Sequence, residues 1–512
     1  MKIKEFFKNV GIVTIGITLS RVLGLAREIV IANRFGTTAA KDAYEVGSYI
    51  PITLSNLLVA GIFSAVFIPL FTKYIINKKK NELKEIISVI INQFTVLTGV
   101  LIVVFFFLSK YIIKIQAPFF DSVRTSIAVN VFQIALPSIL FLGIAAIVTG
   151  ALNSLKMFGI PTLGGIIFNF SVVLFVIIFS GKLGINSIAY GLVIGSVGQL
   201  FIQYPWLHKN RLGYKFTFKL SHPGISDVYL LMLPVLIGSG VNYLAPFIER
   251  FFGSSLSTGM ISALGYSFKI SQFPIGIFAL AISSVVFPSL SENVICKDSS
   301  ALAKNLTWAL KFIMLIIIPA TIGLIALSYP ITRLLFQSGQ FVETSTRMTS
   351  IALSYYSLAL LPWSFTAVMV KIFYSNKDTK TPVYVAIITI IILFVSDYYL
   401  VKVMDYRGLA LGSVIAAFIN MIILWIISWK KFNCFRFRSL GKTFIITSIT
   451  SLILFVFLKI SFIFLDRRLN INIKLNQLFE VGLLVLGGII VYFVINFFFN
   501  RKDLKEVLEH GS

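Results

Sequence analysis

Two cysteines and three histidines are all that 512 residues offer for metal or thiol–imidazole chemistry. They form no Cys/His metal cluster, the three histidines falling in expected loops or at the tail, and no Ser/His/Asp arrangement is visible along the chain. Cys296 and Cys434 lie in or beside segments expected on the cytoplasmic side, so no disulfide is expected. The nearest thing to a phosphate-binding loop, Gly441-Lys442-Thr443, has Arg436 where the upstream glycine is required. Charge is scarce too: 13% of residues are charged, about half the share of a soluble protein. No hydrophilic loop is long enough to fold as a separate domain. The usual signals of an enzyme, a metal site or a nucleotide-binding domain are therefore absent. The expectation is a protein with no cofactor, in which any work comes from a coupling cation, the membrane potential or the substrate gradient.

What the chain does have is apolar length. Hydrophobic residues make up 57% of it and the mean hydropathy is +0.92. The net charge of +25 does not indicate nucleic acid, because Lys and Arg gather in short segments between apolar runs, as topology signals do. The first apolar run is too long for a signal-peptide core and lacks a small-residue cleavage site, so it is expected to be retained.

Apolar runs of bilayer length give about fourteen transmembrane helices. The first covers about 10–32, the second 44–75, the seventh 225–250, the eighth 258–289 and the last two 441–464 and 476–499. An even number puts both termini on one side. Placing them in the cytoplasm leaves roughly 25 basic residues in inner loops against about 15 outside. The strongest inner clusters are Lys78-Lys79-Lys80, Lys209 to Lys219, and Lys430 to Lys442.

The chain also repeats itself at an offset of about 220 residues, as transporters do. Gly191-Leu192-Val193-Ile194-Gly195-Ser196-Val197 returns as Gly408-Leu409-Ala410-Leu411-Gly412-Ser413-Val414, and Ser154, Lys156 and Pro161 return as Ser375, Lys377 and Pro382. The predicted fold is an all-α polytopic membrane protein. Residues 1–220 and 221–432 form two six-helix lobes related by pseudo-two-fold symmetry, and 433–512 add helices thirteen and fourteen and a tail. Two such lobes frame a cleft suited to alternating access.

The charged residues inside apolar segments are the candidate site. Ser20, Arg21, Gly24, Arg27 and Glu28 fall in the first helix, where a charge in lipid is costly and therefore points to a bundle interior or an aqueous cavity. Arg21, Gly24 and Glu28 share one face at i, i+3, i+7, with Ser20, Gly24 and Arg27 on a neighbouring stripe. Gly24 allows a ligand or another helix to come close. A guanidinium fork suits a diphosphate, although Arg27 pairing with Glu28 as a structural anchor remains open. Lys269 and Gln272 of the eighth helix are candidates from the second lobe, with an interfacial lysine as the alternative. For gating or coupling the candidates are Asp42, which otherwise caps the second helix; Glu249 and Arg250, which otherwise form an interfacial pair; and Asp397, either a coupling carboxylate or an interfacial residue beside Tyr398 and Tyr399.

These residues resemble a known family. Ser20-Arg21-Val22-Leu23-Gly24-Leu25-Ala26-Arg27-Glu28 is similar to the S-R-V-L-G-x-x-R-[DE] signature of the MurJ/MviN lipid II flippases. Asp42-Ala43-Tyr44, Phe67-Ile68-Pro69 and Phe336-Gln337-Ser338-Gly339-Gln340-Phe341 match shorter family motifs, and the stretch Phe373 to Pro382 resembles F-Y-[SA]-x-x-D-x-K-T-P. The resemblance implies a fold of the multidrug/oligosaccharidyl-lipid/polysaccharide exporter type and a cationic cavity. It also implies a lipid-tail groove beside helices thirteen and fourteen. By the same resemblance Arg21 and Arg27 contact the diphosphate or sugar headgroup.

The chain departs from the family in the second helix, where Pro51-Ile52-Thr53-Leu54-Ser55-Asn56 contains no arginine and Ala60-Gly61 replaces an acidic-Gly pair. Lys269 and Gln272 stand where the family has an arginine and a common acid, and Pro246 where some relatives carry an acid. The implied activity is translocation of undecaprenyl-diphosphate-linked peptidoglycan precursor, lipid II, from the inner to the outer leaflet of the bacterial cytoplasmic membrane. A monomer contacting this lipid-linked saccharide and the membrane lipids, and no nucleic acid, is expected. Export of another lipid-linked oligosaccharide is the nearest alternative, with a drug or cation antiporter and a membrane glycosyltransferase behind it.

Overall fold

The computed structural model describes residues 3–57, 67–217, 219, 240–296, 298–432 and 437–499, with side chains from Ile15 onward except at 242. Parts of the second and seventh expected spans (58–66 and 220–239), and the positions of Cys434 and Arg436, lie outside the described residues. Among the described residues every regular element is helical. That is the outcome hydrocarbon demands of a chain that cannot close a barrel, because a helix satisfies its own backbone groups.

Ten helical stretches are long and apolar enough to cross a membrane, and eleven when a pair bent by 43° counts as one. Fourteen were expected. The eleven match expected spans closely, with Phe437–Arg468 against 441–464 and Lys474–Phe499 against 476–499 as examples. The first helix lies outside those eleven, yet its 33 residues reach about 50 Å at 1.5 Å each.

The chain packs as two compact units, Met1–Gly259 with Ser338–Gln340, and Met260–Gln337 with Phe341–Ser512. The first unit contains α1 (Ile3–Phe35), α2 (Ala39–Gly47), α3 (Tyr49–Asn56), α4 (Ile68–Ile76), α5 (Lys80–Gln116), α6 (Ser122–Ala135), α7 (Pro137–Ser154), α8 (Gly159–Leu183), α9 (Asn186–Lys209) and α10 (Leu244–Gly253). One core gathers Phe71 of α4, Leu83 and Ile87 of α5, Ile147 and Leu152 of α7 and Leu207 of α9. A second joins Ile31 of α1 to Tyr44 of α2, Val131 of α6, Val172 of α8 and Ile188 of α9.

The second unit contains α11 (Met260–Pro274), α12 (Leu280–Ile295), α13 (Ser299–Ala326), α14 (Ser328–Phe336), α15 (Glu343–Ser357), α16 (Leu360–Ser375), α17 (Lys380–Met404), α18 (Tyr406–Phe432), α19 (Phe437–Arg468) and α20 (Lys474–Phe499). A π-helical turn, Ile275–Ala279, follows Pro274 and joins α11 to α12. Its core runs through Ile282, Leu310, Ile313, Phe365, Met369 and Leu424 to Leu440 of α19.

The sequence repeat is expressed in local geometry. Helix α8 and helix α17 have 25 residues each, and both end on a left-handed residue, Gly184 (φ 54°) and Asp405 (φ 51°). Lys156 and Lys377, which precede them, are left-handed too, at φ 62° and 57°. Thr149 Oγ1 donates to Gln203 Oε1 at 3.0 Å in the first unit, and Thr366 Oγ1 to Asn420 Oδ1 at 3.3 Å in the second. The repeated Gly-x-x-x-Gly motifs bring neighbouring helices together. A Cβ on Gly195 would lie 2.8 Å from Phe168 O, and one on Gly408 would strike Leu400 O.

Buried ion pairs fasten α19 and α20 to the second unit. Arg333 of α14 donates to Asp466 Oδ1 of α19 at 2.8 Å and to Glu480 Oε2 of α20 at 2.6 Å. The Arg333 and Glu480 side chains are 3% and 1% exposed, so the Glu480 carboxylate is stranded without Arg333. Further along, Tyr492 Oη donates to Leu315 O at 2.7 Å. Replacing Arg333 by Ala leaves Glu480 buried and uncompensated, and a loss of about 3–5 kcal/mol is expected. Thermal unfolding of the purified protein in detergent measures it, and a Tm equal to the parent's refutes the clamp.

The motif from Phe373 to Pro382 is likewise a structural joint. Asp378 Oδ1 accepts from Thr381 N at 3.0 Å, and Oδ2 accepts from Thr381 Oγ1 at 2.7 Å and from Lys431 Nζ of α18 at 2.6 Å. Burial pushes this carboxyl up, but the hydrogen bonds from Lys431 and Thr381 outweigh it and hold it at about 2, against an ordinary 3.8. The stabilisation is complete above the unfolded value and is lost as pH falls through about 2. The Tm gap between the parent and Asp378→Asn is therefore expected to stay constant from about pH 5 to pH 8 and to close only in stronger acid.

Candidate functional site

Helix α1 meets α8 along a face of small residues. A Cβ on Gly16 would lie 2.7 Å from Thr162 Oγ1, a Cβ on Gly165 would lie 2.9 Å from Ser20 Oγ, and Asn169 Nδ2 donates to Ser20 O at 3.4 Å. Gly24 continues that face, with Asn169 3.9 Å from where its Cβ would be. Ser20 and Gly24 are thus helix-packing residues here, and the close neighbour that Gly24 admits is α8. Arg27 lies further along the same stripe as Ser20 and Gly24, and Arg21 and Glu28 lie on the face beside it. Arg21 is exposed, Arg27 is half-buried and Glu28 is buried. Arg27 Nη2 donates to Glu28 Oε1 at 2.9 Å, so the anchoring pair left open above is formed. With its side chain 24% exposed, Arg27 still presents a surface to a ligand.

Past α1 lies a denser set of charges. Thr38, not Asp42, caps α2: its Oγ1 accepts from Lys41 N at 3.4 Å. Asp42 is fully buried and its Oδ2 accepts from Gly259 N at 2.5 Å, tying α2 to the turn that follows α10.

Glu45, one turn beyond Lys41, takes an ion pair from the fully buried Lys41 Nζ on one oxygen. Its other oxygen is 3.4 Å from Arg250 Nη2, and Arg250 Nε donates to the Glu45 backbone O at 2.9 Å. Arg250 also donates to Pro246 O at 2.9 Å and lies 4.2 Å above the ring of Tyr49, whose hydroxyl donates to Tyr243 O. Arg250 is therefore a cross-link from α10 to α2 and α3, well beyond an interfacial partner for Glu249, which is half-buried beside it.

The second unit places its candidates separately. Lys269 and Gln272 are half-buried on α11, and Lys269 Nζ lies 5.9 Å from the centre of the Tyr266 ring. Asp397 is fully buried between α17 and α18, against Gly412, where a Cβ would strike its Oδ1. Tyr398 and Tyr399 beside it are exposed. No group of three metal-ligating side chains occurs among the described residues.

The model of the lipid II flippase MurJ family matches residues 31–503 of this chain. The chain belongs to that family. A probable lipid II flippase MurJ from Buchnera aphidicola is 30% identical over 85% of this chain and 84% of its own length. One from Vibrio cholerae is 30% identical over 82% of each chain, and the lipid II flippase MurJ of Burkholderia cenocepacia is 28% identical over 80% and 81%. A solved lipid II flippase MurJ in an inward closed conformation is 27% identical, with a TM-score of 0.81 over 96% of this chain and 98% of that one. An inward-facing multidrug resistance MATE family transporter of the MOP superfamily gives a TM-score of 0.66 at 13% identity, covering 83% and 96%. That second likeness is one of fold alone.

Sequence reasoning found the charges of α1 through their cost in lipid but passed over Lys41 and Glu45. Their i, i+4 spacing on a short helix was the available signal. Glu480, an acid within an apolar run that the structure pairs with Arg333, was a second signal passed over. Glu45→Gln is expected to destabilise the protein by about 3–5 kcal/mol, because it leaves the Lys41 ammonium buried without its counter-charge. The double variant Lys41→Met/Glu45→Leu is expected to regain part of that loss, since it removes the buried ammonium together with its counter-charge while Arg250 keeps only its backbone acceptors. A double variant as unstable as Glu45→Gln, by thermal unfolding, would show that the pair does more than neutralise itself.

Proposed function

We propose that this multi-pass membrane protein translocates lipid II, the undecaprenyl-diphosphate-linked peptidoglycan precursor, from the inner to the outer leaflet by alternating access. The observation that carries the reading is the family match over nearly the whole chain, joined to guanidiniums placed inside the first membrane helix. The protein is a transporter and works on a lipid-linked substrate within membrane lipids.

The finer assignments are these. Arg21 and Arg27 bind the anionic part of the headgroup, since an arginine fork cannot lose its proton and donates paired hydrogen bonds to phosphate oxygens. Glu28 orients Arg27 for that contact. Lys269 and Gln272 of the second unit are the further candidates for headgroup binding. Asp42, Glu45, Glu249, Arg250 and Asp397 serve gating or coupling, because a change of protonation or partner there alters the cost of a buried charge. The protein acts as a monomer in the bacterial cytoplasmic membrane with both termini inside. It draws on a coupling cation or the membrane potential and holds no cofactor. The two repeats form six-helix lobes, and α19 and α20 support the lipid tail.

Export of another lipid-linked oligosaccharide is the second reading, favoured by the lack of arginine in the stretch Pro51 to Asn56. Complementation separates the two. A strain depleted of its own lipid II flippase is expected to recover growth when it expresses this chain. Outer-leaflet lipid II, detected by an externally added headgroup-cleaving enzyme, is expected to rise with it. Growth without that rise, or neither, overturns the lipid II assignment. Arg21→Ala and Arg27→Ala are each expected to abolish complementation at parental expression, and normal complementation by both removes the proposed binding role.

A further inference from the structure

Among the described residues, five that are not glycine hold a left-handed backbone: Lys78, Lys156, Arg211, Lys377 and Asp405. Four are cations, and each stands at the same place, two residues past the last residue of α4, α7, α9 or α16. The chain then closes back on the helix. Lys79 N donates to Tyr74 O at 3.0 Å, Met157 N to Leu152 O at 2.9 Å, and Leu212 N to Leu207 O at 3.1 Å. This is the helix ending in which glycine is the usual residue, because any Cβ is unfavourable there. Topology does not require the choice. Lys79, Lys80 and Lys209 already supply charge beside two of these turns, and a basic residue anywhere in the loop serves that purpose.

In the first unit the three turns share one end. Phe71, Leu152, Leu207 and Leu212 pack in one apolar cluster beneath them, and Asn210 Nδ2 lies 3.4 Å from Met157 Sδ. The segment after Arg211 folds back along α5. Lys215 N donates to Ser88 Oγ at 2.9 Å, Tyr214 Oη to Asn92 Oδ1 at 2.7 Å, and Lys219 Nζ to Glu85 Oε1 at 2.7 Å. Lys78, Lys156, Arg211 and Lys215 are all exposed on this held surface. Beside them stand apolar side chains, Ile76 and Phe216 each 72% exposed and Trp206 38%. Fixed cations alternating with exposed aromatic and aliphatic groups, at the ends of membrane helices, match the headgroup level of a bilayer.

We infer that Lys78, Lys156 and Arg211, with Lys215, form a platform that binds the phosphate headgroups of anionic phospholipids. The left-handed turns hold the cations at set positions around the helix ends, so the phosphates meet a preformed array. Neutral zwitterionic headgroups carry their own ammonium and gain less from it. The platform is distinct from the guanidiniums of α1, and its binding does not depend on transport.

The test uses the full-length protein reconstituted in phosphatidylcholine nanodiscs with traces of spin-labelled phosphatidylglycerol or spin-labelled phosphatidylcholine. The immobilised fraction of each label reports its retention at the protein surface. The parent is expected to retain phosphatidylglycerol preferentially. The variant Lys78→Gly/Lys156→Gly/Arg211→Gly is expected to lose that preference at least tenfold, on a scale of about fivefold per cation. Glycine suits a left-handed residue, so its Tm is expected to equal or exceed the parent's. A companion variant, Lys78→Gln/Lys156→Gln/Arg211→Gln, tests charge loss with side chains kept and is expected to lose the preference equally. A parent that retains both lipids alike, or variants within twofold of a selective parent, overturns the platform.

Discussion

A charged side chain moved from water into the interior of a membrane protein loses several kcal/mol of hydration, and only a close counter-charge with good hydrogen bonds returns it. Much of this molecule's architecture answers to that constraint. Glu45 stands between Lys41 and Arg250, Arg333 between Asp466 and Glu480, and Asp42 closes on a backbone N–H. Apart from the Lys41–Glu45 pair within α2, each contact joins segments distant in sequence, so electrostatic satisfaction and the choice of packing partners are one requirement. In the first unit α2 and α10 are linked through Glu45, and in the second α14 carries α19 and α20 through Arg333.

Against this background the charges of α1 are unusual in being left partly open. Arg27 is paired with Glu28 yet keeps a quarter of its side-chain surface, and Arg21 is exposed. A pair that is closed leaves little of either charge for a substrate. A guanidinium that retains free surface can still accept a phosphate, which is the property a transporter for a diphosphate-linked lipid requires. The small-residue face of Gly16, Ser20 and Gly24 seats α1 on α8, and Arg27 follows one turn further along the same stripe.

The motifs that mark the family divide in the same way. Asp378 forms a joint between the start of α17 and the end of α18. Gly191-x-x-x-Gly195 and Gly408-x-x-x-Gly412 permit close helix contact, and in the second copy the neighbour that needs the room is the buried Asp397. Sequence likeness is therefore spread over packing and chemistry together. Only the residues of α1 carry a strong argument for substrate.

Much of the outline was readable from the chain alone. Apolar runs of bilayer length, punctuated by basic segments, dictate helices and their limits, because nothing else satisfies a backbone in hydrocarbon. The repeat was legible in its glycines and prolines, and the same positions reappear as matching turns at Lys156 and Lys377. Arg21, Arg27 and Glu28 announced themselves by their cost in lipid. What the chain could not disclose was who meets whom. That Asp42 binds Gly259 rather than capping its own helix, that Arg250 reaches Glu45, and that Arg333 finds Glu480 from 147 positions away follow from packing. Local sequence determines which charges must be neutralised and where each helix runs; the partner of each charge is decided only when the helices come together, because an ion pair depends on distance in space and not along the chain.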